Sequence, residues 1–148
     1  TLAYVGPQEK ELVPYLNFAP MQNSIEGLQH SAKEFTRVMK DLQDKNIQIS
    51  ASDRNRLDDI LMKAERSFTR TAGLPGRPWF VHFIYAPGLY TGYGVKTLPG
   101  VREAIEQRDW KEAGEQIMIV ATVIEGYAGE ISRATSIVTR AMTGKAAH

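Results

Sequence analysis

From Asn23 onward the apolar residues step by three and four, so that Ile25, Leu28, Ala32, Phe35, Met39 and Leu42 share one face of a helix predicted over 23–44. Asn23 or Ser24 is expected to cap its first turn, and Asn46 to stop it. The same period returns in Leu57, Ile60, Leu61, Ala64 and Phe68. It predicts a second helix over 53–72, capped by Ser50 or Ser52 and ending at Gly73 before Pro75, with Asp59 and Lys63 one turn apart in the stabilising order. Pro99 suits the first turn of a short helix over 99–108, with Val101, Ala104 and Ile105 inward. Asp109 reads as the N-cap of the longest helix, 110–142. Its run IMIVATVI from Ile117 to Ile124 is apolar around much of the circumference, which places this helix at the centre, touched on more than one side. Gly126, Ala128 and Gly129 leave room there for a neighbour, each Gly at a cost of roughly 1 kcal/mol relative to Ala.

Three stretches lack this period. Residues 1–20 contain three prolines and read as a mainly extended lead-in, with Leu12, Tyr15, Leu16 and Phe18 expected to pin it to the core. Ile47 to Ala51 is a connection, too short for an independent strand, and 143–148 is a frayed tail. The third, Gly73 to Gly100, holds four of the seven prolines together with both phenylalanines of WFVHF and four residues of Tyr or Trp. Linkers lack such aromatic content, so this is an ordered binding or packing loop held by the helices on either side. The fold class that follows is all-α, a bundle of about four helices with a long ordered Pro/Gly/aromatic loop between the second and the third.

Composition narrows the function only by exclusion. At 148 residues the chain suits a single domain with its own core, 1–148. Eighteen basic and seventeen acidic residues leave +1, no electrostatic footprint for nucleic acid and none for an anionic membrane. The opening Thr1, without Met, reads as a segment of a larger chain. With no cysteine there is no disulfide, thiolate zinc site or cysteine nucleophile.

No catalytic or metal constellation is visible in this segment. His30, His82 and His148 stand singly, without HExxH or a comparable ligand cluster, and His82 reads as a structural hydrogen-bonding residue rather than a ligand. Gly88, Gly92 and Gly94 lack the strand, helix and GK[ST] of a nucleotide-binding turn. No serine sits in a nucleophile elbow. Tyr85, Tyr90 and Tyr93 are ambiguous from the sequence: each can bury its ring and bond internally, or offer its hydroxyl to a ligand.

The string GLPGRPWFVHFIYAPGLYTGYGVKTLPGVREAI, followed by QIMIVATVIEGYAGEISRA, resembles the C-terminal transferrin-receptor-like dimerisation domain of the glutamate carboxypeptidase II family. That family's pattern is GLP-x-RP, an aromatic pair, a His, IYAP, a loop ending in Tyr, and a Leu- or Phe-Pro-Gly opening the next helix. The resemblance runs from about Phe18 to Ala134 and is most specific between Gly73 and Gly100. It implies a helical bundle at the end of a chain that also carries a protease-associated domain and a zinc peptidase domain, in an extracellular, membrane-anchored or vacuolar parent. Zinc and the catalytic groups would belong to the peptidase domain, and this segment would supply none of them. Its implied roles are to form a homodimer and to close one wall of the peptide-substrate cleft with its central loop, without contacting nucleic acid or membrane itself.

In glutamate-selective members that loop presents a Lys-Tyr pair to the substrate residue bearing the free C-terminus. Aligned on IYAP without gaps, Tyr93 falls on the Tyr, whose hydroxyl bonds the α-carboxylate, and Gly92 falls where the Lys would be. The tyrosine is retained and the lysine is not; Lys96 is a nearby candidate substitute. Non-catalytic transferrin receptors resemble this domain too, but with a shorter loop that lacks the Tyr. The resemblance therefore implies a peptidase parent first, and a receptor or scaffold as the alternative.

Overall fold

In a computed structural model, which describes residues 6–144 except 8, 91 and 93, four helices carry the architecture. α1 spans Ala19–Asp44, α2 Ala51–Lys63, α3 Pro99–Glu106 and α4 Trp110–Gly144. Two three-residue strands, β1 (Tyr85–Pro87) and β2 (Val95–Thr97), pair antiparallel in the long loop, with Ala86 opposite Lys96. The all-α bundle is as the apolar pattern predicts. The hairpin is additional to it.

α4 is the centre, packed along α1 and touched also by α2, α3 and the 3₁₀ turn Ala64–Phe68 that follows α2. Its N-terminal half buries Ile117, Val120, Ala121 and Ile124 against Met21 of α1 and Val101 of α3. Its C-terminal half buries Ala134 and Val138 against Val38 and Leu57. A third cluster joins Val123 of α4 to Leu74, Phe83 and Ala86 of the loop. The loop is thus part of the core, which is why so many aromatic residues sit in a segment without helical period.

Several boundaries differ from the sequence expectation. α1 begins at Ala19, not Asn23, because Pro20 fits the opening turn and the Asn17 side chain accepts from Ala19 N–H at 3.0 Å. Ser24 is no cap; it is buried and its hydroxyl donates to the Met21 carbonyl at 2.8 Å. The start of α1 is therefore turned so that Met21 and Ser24 face inward, leaving Ile25 41% exposed. α2 ends at Lys63, short of Gly73, and continues only as the 3₁₀ turn. Ser50 does cap it, accepting from Asp53 N–H at 3.0 Å, and Asp109 caps α4 by accepting from Glu112 N–H at 2.9 Å. Asn46 takes the left-handed conformation at the end of α1, φ 49°.

The lead-in is not pinned as expected: Leu12 and Tyr15 are 94% and 90% exposed, and Leu16 alone of the four packs on the core. The wide apolar face of α4 is covered from within the chain, with Met118 its one exposed large apolar residue among those described. Gly126 meets only the Ser67 Cβ at ordinary contact distance and Gly129 meets nothing, so among the described residues no neighbour uses the room they leave.

Candidate functional site

The loop is held by a buried ion pair. The Arg77 guanidinium, in the GLPGRP string, donates through Nη2 to both Glu103 carboxylate oxygens at 2.7 Å, while Nη1 donates to the Pro87 carbonyl. Glu103 Oε1 also accepts from Leu89 N–H at 2.8 Å. The two side chains are 3% and 9% exposed, so the planar fork ties β1 and the residues after it to α3 in a nearly dry setting. Arg77 also lies over the Phe80 ring at 5.4 Å.

A second anchor lies at the other end of β1. His82 Nδ1 accepts from Ile84 N–H at 3.3 Å and Tyr85 N–H at 3.2 Å, which leaves its proton on Nε2. The ring lies 4.0 Å from the Tyr85 ring, centroid to centroid, and the Tyr85 hydroxyl donates to Glu65 Oε1 at 2.6 Å. Burial lowers the His82 pKa below the ordinary imidazole value and outweighs the nearby Glu65 carboxylate, which raises it. The hydrogen bond to Glu65 holds the Tyr85 phenol above its usual range, so it stays a donor. His82 is a hydrogen-bonding residue of the loop, as its isolation in the sequence implies.

Beyond β1, Gly88 N–H donates to the Gly94 carbonyl at 3.1 Å, just before β2 begins. Gly92 is exposed at φ +59°, with open space where a Cβ would point. Tyr93 lies outside the described residues. Lys96, the candidate substitute for a missing lysine, is committed elsewhere: its side chain is 8% exposed and its ammonium meets Glu106 at 2.6 Å. Its ladder position opposite the buried Ala86 turns it inward, away from the tip of the loop. In the loop Trp79, Tyr90 and Val95 are exposed by 71%, 80% and 71%.

Among the described residues no group of three or more His, Asp or Glu side chains is placed to hold a metal ion. No helix among them is long and apolar enough to cross a membrane.

The model of the transferrin receptor-like dimerisation domain family matches residues 16–132, from the end of the lead-in through most of α4. The chain belongs to that family. Its relatives include a protein of Arabidopsis thaliana named probable glutamate carboxypeptidase, 41% identical over 75 residues that make up 46% of this chain and 11% of the relative. A protein of Zea mays with the same description is 30% identical over 119 residues, 79% of this chain and 17% of the relative. An inactive zinc metalloprotease of Schizosaccharomyces pombe is 32% identical over 71 residues, 48% of this chain and 9% of that protein. The chain thus spans well under a fifth of the length of these relatives. The Arg77–Glu103 anchor and the hairpin fall inside the family match. Sequence reasoning missed both, although the Arg of GLPGRP was in view, because nothing in the spacing points to a partner 26 residues away.

Proposed function

We propose that this chain is the C-terminal dimerisation and cleft-lining domain of a zinc-dependent carboxypeptidase of the glutamate carboxypeptidase kind, and is not catalytic alone. One observation carries the reading: relatives that share this segment are named glutamate carboxypeptidases, and the segment is only 11–17% of their length. Zinc and the reacting groups belong to a separate peptidase domain, and the exposed side chains of Trp79, Tyr90 and Val95 belong to the surface from which this domain meets the rest of the parent. The inactive zinc metalloprotease among the relatives favours a second reading, the same domain in a non-catalytic scaffold.

In the first reading Tyr93 donates its hydroxyl to the substrate's free α-carboxylate, while Gly92, in place of a lysine, admits side chains other than glutamate. Tyr93→Phe keeps the ring and removes a charge-assisted bond. It should reduce kcat/KM of the parent on peptides with a free carboxylate by on the order of ten- to a hundredfold. An unchanged kcat/KM assigns the tyrosine to packing. Placing a lysine at position 92 is not the clean converse, since a side chain at φ +59° costs roughly 1–3 kcal/mol of backbone strain.

The domain also makes the parent a homodimer. Light scattering of the full protein across a hundredfold concentration range should give twice the monomer mass, with dissociation only on dilution. A strict monomer at the highest concentration contradicts it.

A further inference from the structure

We infer that His82 is a positioning residue that sets the β1–β2 hairpin, and that its protonation releases the start of β1. The inference rests on the cleft-lining reading only for its consequence in catalysis; the latch itself stands on the local geometry.

The imidazole offers one lone pair, at Nδ1, and two backbone donors meet it: Ile84 N–H at 3.3 Å and Tyr85 N–H at 3.2 Å. Tyr85 is the first residue of β1, and Ile84 accepts from Leu98 N–H at 2.7 Å at the point where β2 hands over to α3. These two amides therefore fix the entry of the hairpin whose connection carries Gly92. A proton on Nδ1 removes the acceptor and places a third N–H against the two already there. Turning the ring by half a rotation brings a carbon to the same place and leaves both amides without a partner. Either way the turn 82–85 must open.

Among the described residues, the titratable groups that face His82 are Glu65 of the 3₁₀ turn, 3.8 Å from Nε2, and Tyr85 of β1, with the Phe68 ring at 5.8 Å on its apolar side. Glu65 is 65% exposed and already accepts the Tyr85 hydroxyl, so solvent weakens its hold on an imidazolium. Nε2 is buried without a hydrogen-bond partner in the described protein, a setting that disfavours the cation. With its folded pKa below the unfolded value, His82 binds fewer protons in the closed hairpin. The latch is then fully closed above the ordinary imidazole value near 6.5 and is lost as pH falls through the lower folded value.

The test is hydrogen–deuterium exchange of the full protein at about pH 7.5 and about pH 5, either side of the ordinary imidazole value, corrected for the intrinsic rate and read in peptides covering 83–87. Protection there should fall by roughly five- to tenfold on acidification, the worth of one net hydrogen bond, while α4 is unchanged. His82→Asn supplies a carbonyl oxygen near the position of Nδ1 that does not titrate, so its protection should be independent of pH. Native protection that does not change with pH, or a His82→Asn variant that loosens in acid as the native protein does, overturns the latch. The same two proteins then separate this inference from the cleft reading: KM for a peptide with a free carboxylate should rise further in acid for the native protein than for His82→Asn. Equal KM changes, with the exchange result as expected, overturn the placing of this hairpin at the cleft and leave the latch standing.

Discussion

Arg77→Met should destabilise the fold by about 3–5 kcal/mol, the largest loss expected from any single side chain outside the helical core. The variant fills much of the same volume but leaves the Glu103 carboxylate buried with Leu89 N–H as its one remaining partner among the described residues, and strips the Pro87 carbonyl of its Arg77 donor. Desolvating a carboxylate without its counter-ion outweighs anything the thioether gains by packing. Urea unfolding followed by circular dichroism measures the change as a fall in midpoint at constant slope. The double variant Arg77→Met/Glu103→Leu should recover part of the loss, because an apolar pair carries no orphaned charge. A single variant within about 1 kcal/mol of the native protein would mean that water reaches the pair, against its 3% and 9% exposure.

This anchor marks where sequence reading stops. The helices are legible because burial of one face imposes a period, sustained over many turns in α1 and α4, while α3 is marked instead by Pro99 at its opening turn. The stripes through Leu57, Ala64, Ile117 and Ile124 are the stripes that pack. Ends were less legible, since the entry of α1 is decided by Pro20 and the Asn17 side chain ahead of the first periodic residue. The strands were invisible: three residues each, one ending in Pro87, they are too short to show an alternation. In the fold Val123 is covered by Leu74, Phe83 and Ala86 of the loop, so the aromatic loop and the wide helix face explain each other.

For the site, the sequence and its family resemblance located the loop and two positions in it. They did not supply the inward turn of Lys96, because it follows from the hairpin register, nor the φ of Gly92, which belongs to the connection between the strands. Lys96, four residues after the position of the expected lysine, is near enough in sequence to replace it, and its pairing with Glu106 takes it out of reach.

Gly73→Ala is expected to be the second most damaging change in the loop, and for reasons unrelated to charge. Gly73 closes the turn after the 3₁₀ segment, its N–H on the Arg70 carbonyl at 3.0 Å, and holds φ +66°. A Cβ there would stand 2.2 Å from the Pro78 carbonyl oxygen, a backbone atom that no side-chain rotation can move aside. The left-handed conformation alone costs a non-glycine residue about 1–3 kcal/mol, and the clash adds to it. Relief requires shifting Pro78, which adjoins Arg77, so the strain runs directly into the buried pair that ties the hairpin to α3. Gly76→Ala is the control, since it shares the positive φ at +70° but has nothing within 4 Å of the added methyl group. Unfolding both variants in parallel isolates the steric part: Gly73→Ala should lose clearly more stability than Gly76→Ala. Its protection from hydrogen exchange should also fall first in 74–90, ahead of α1 and α4. Equal losses for the two glycines would show that Pro78 yields freely, and that the turn is not what fixes Arg77 in place.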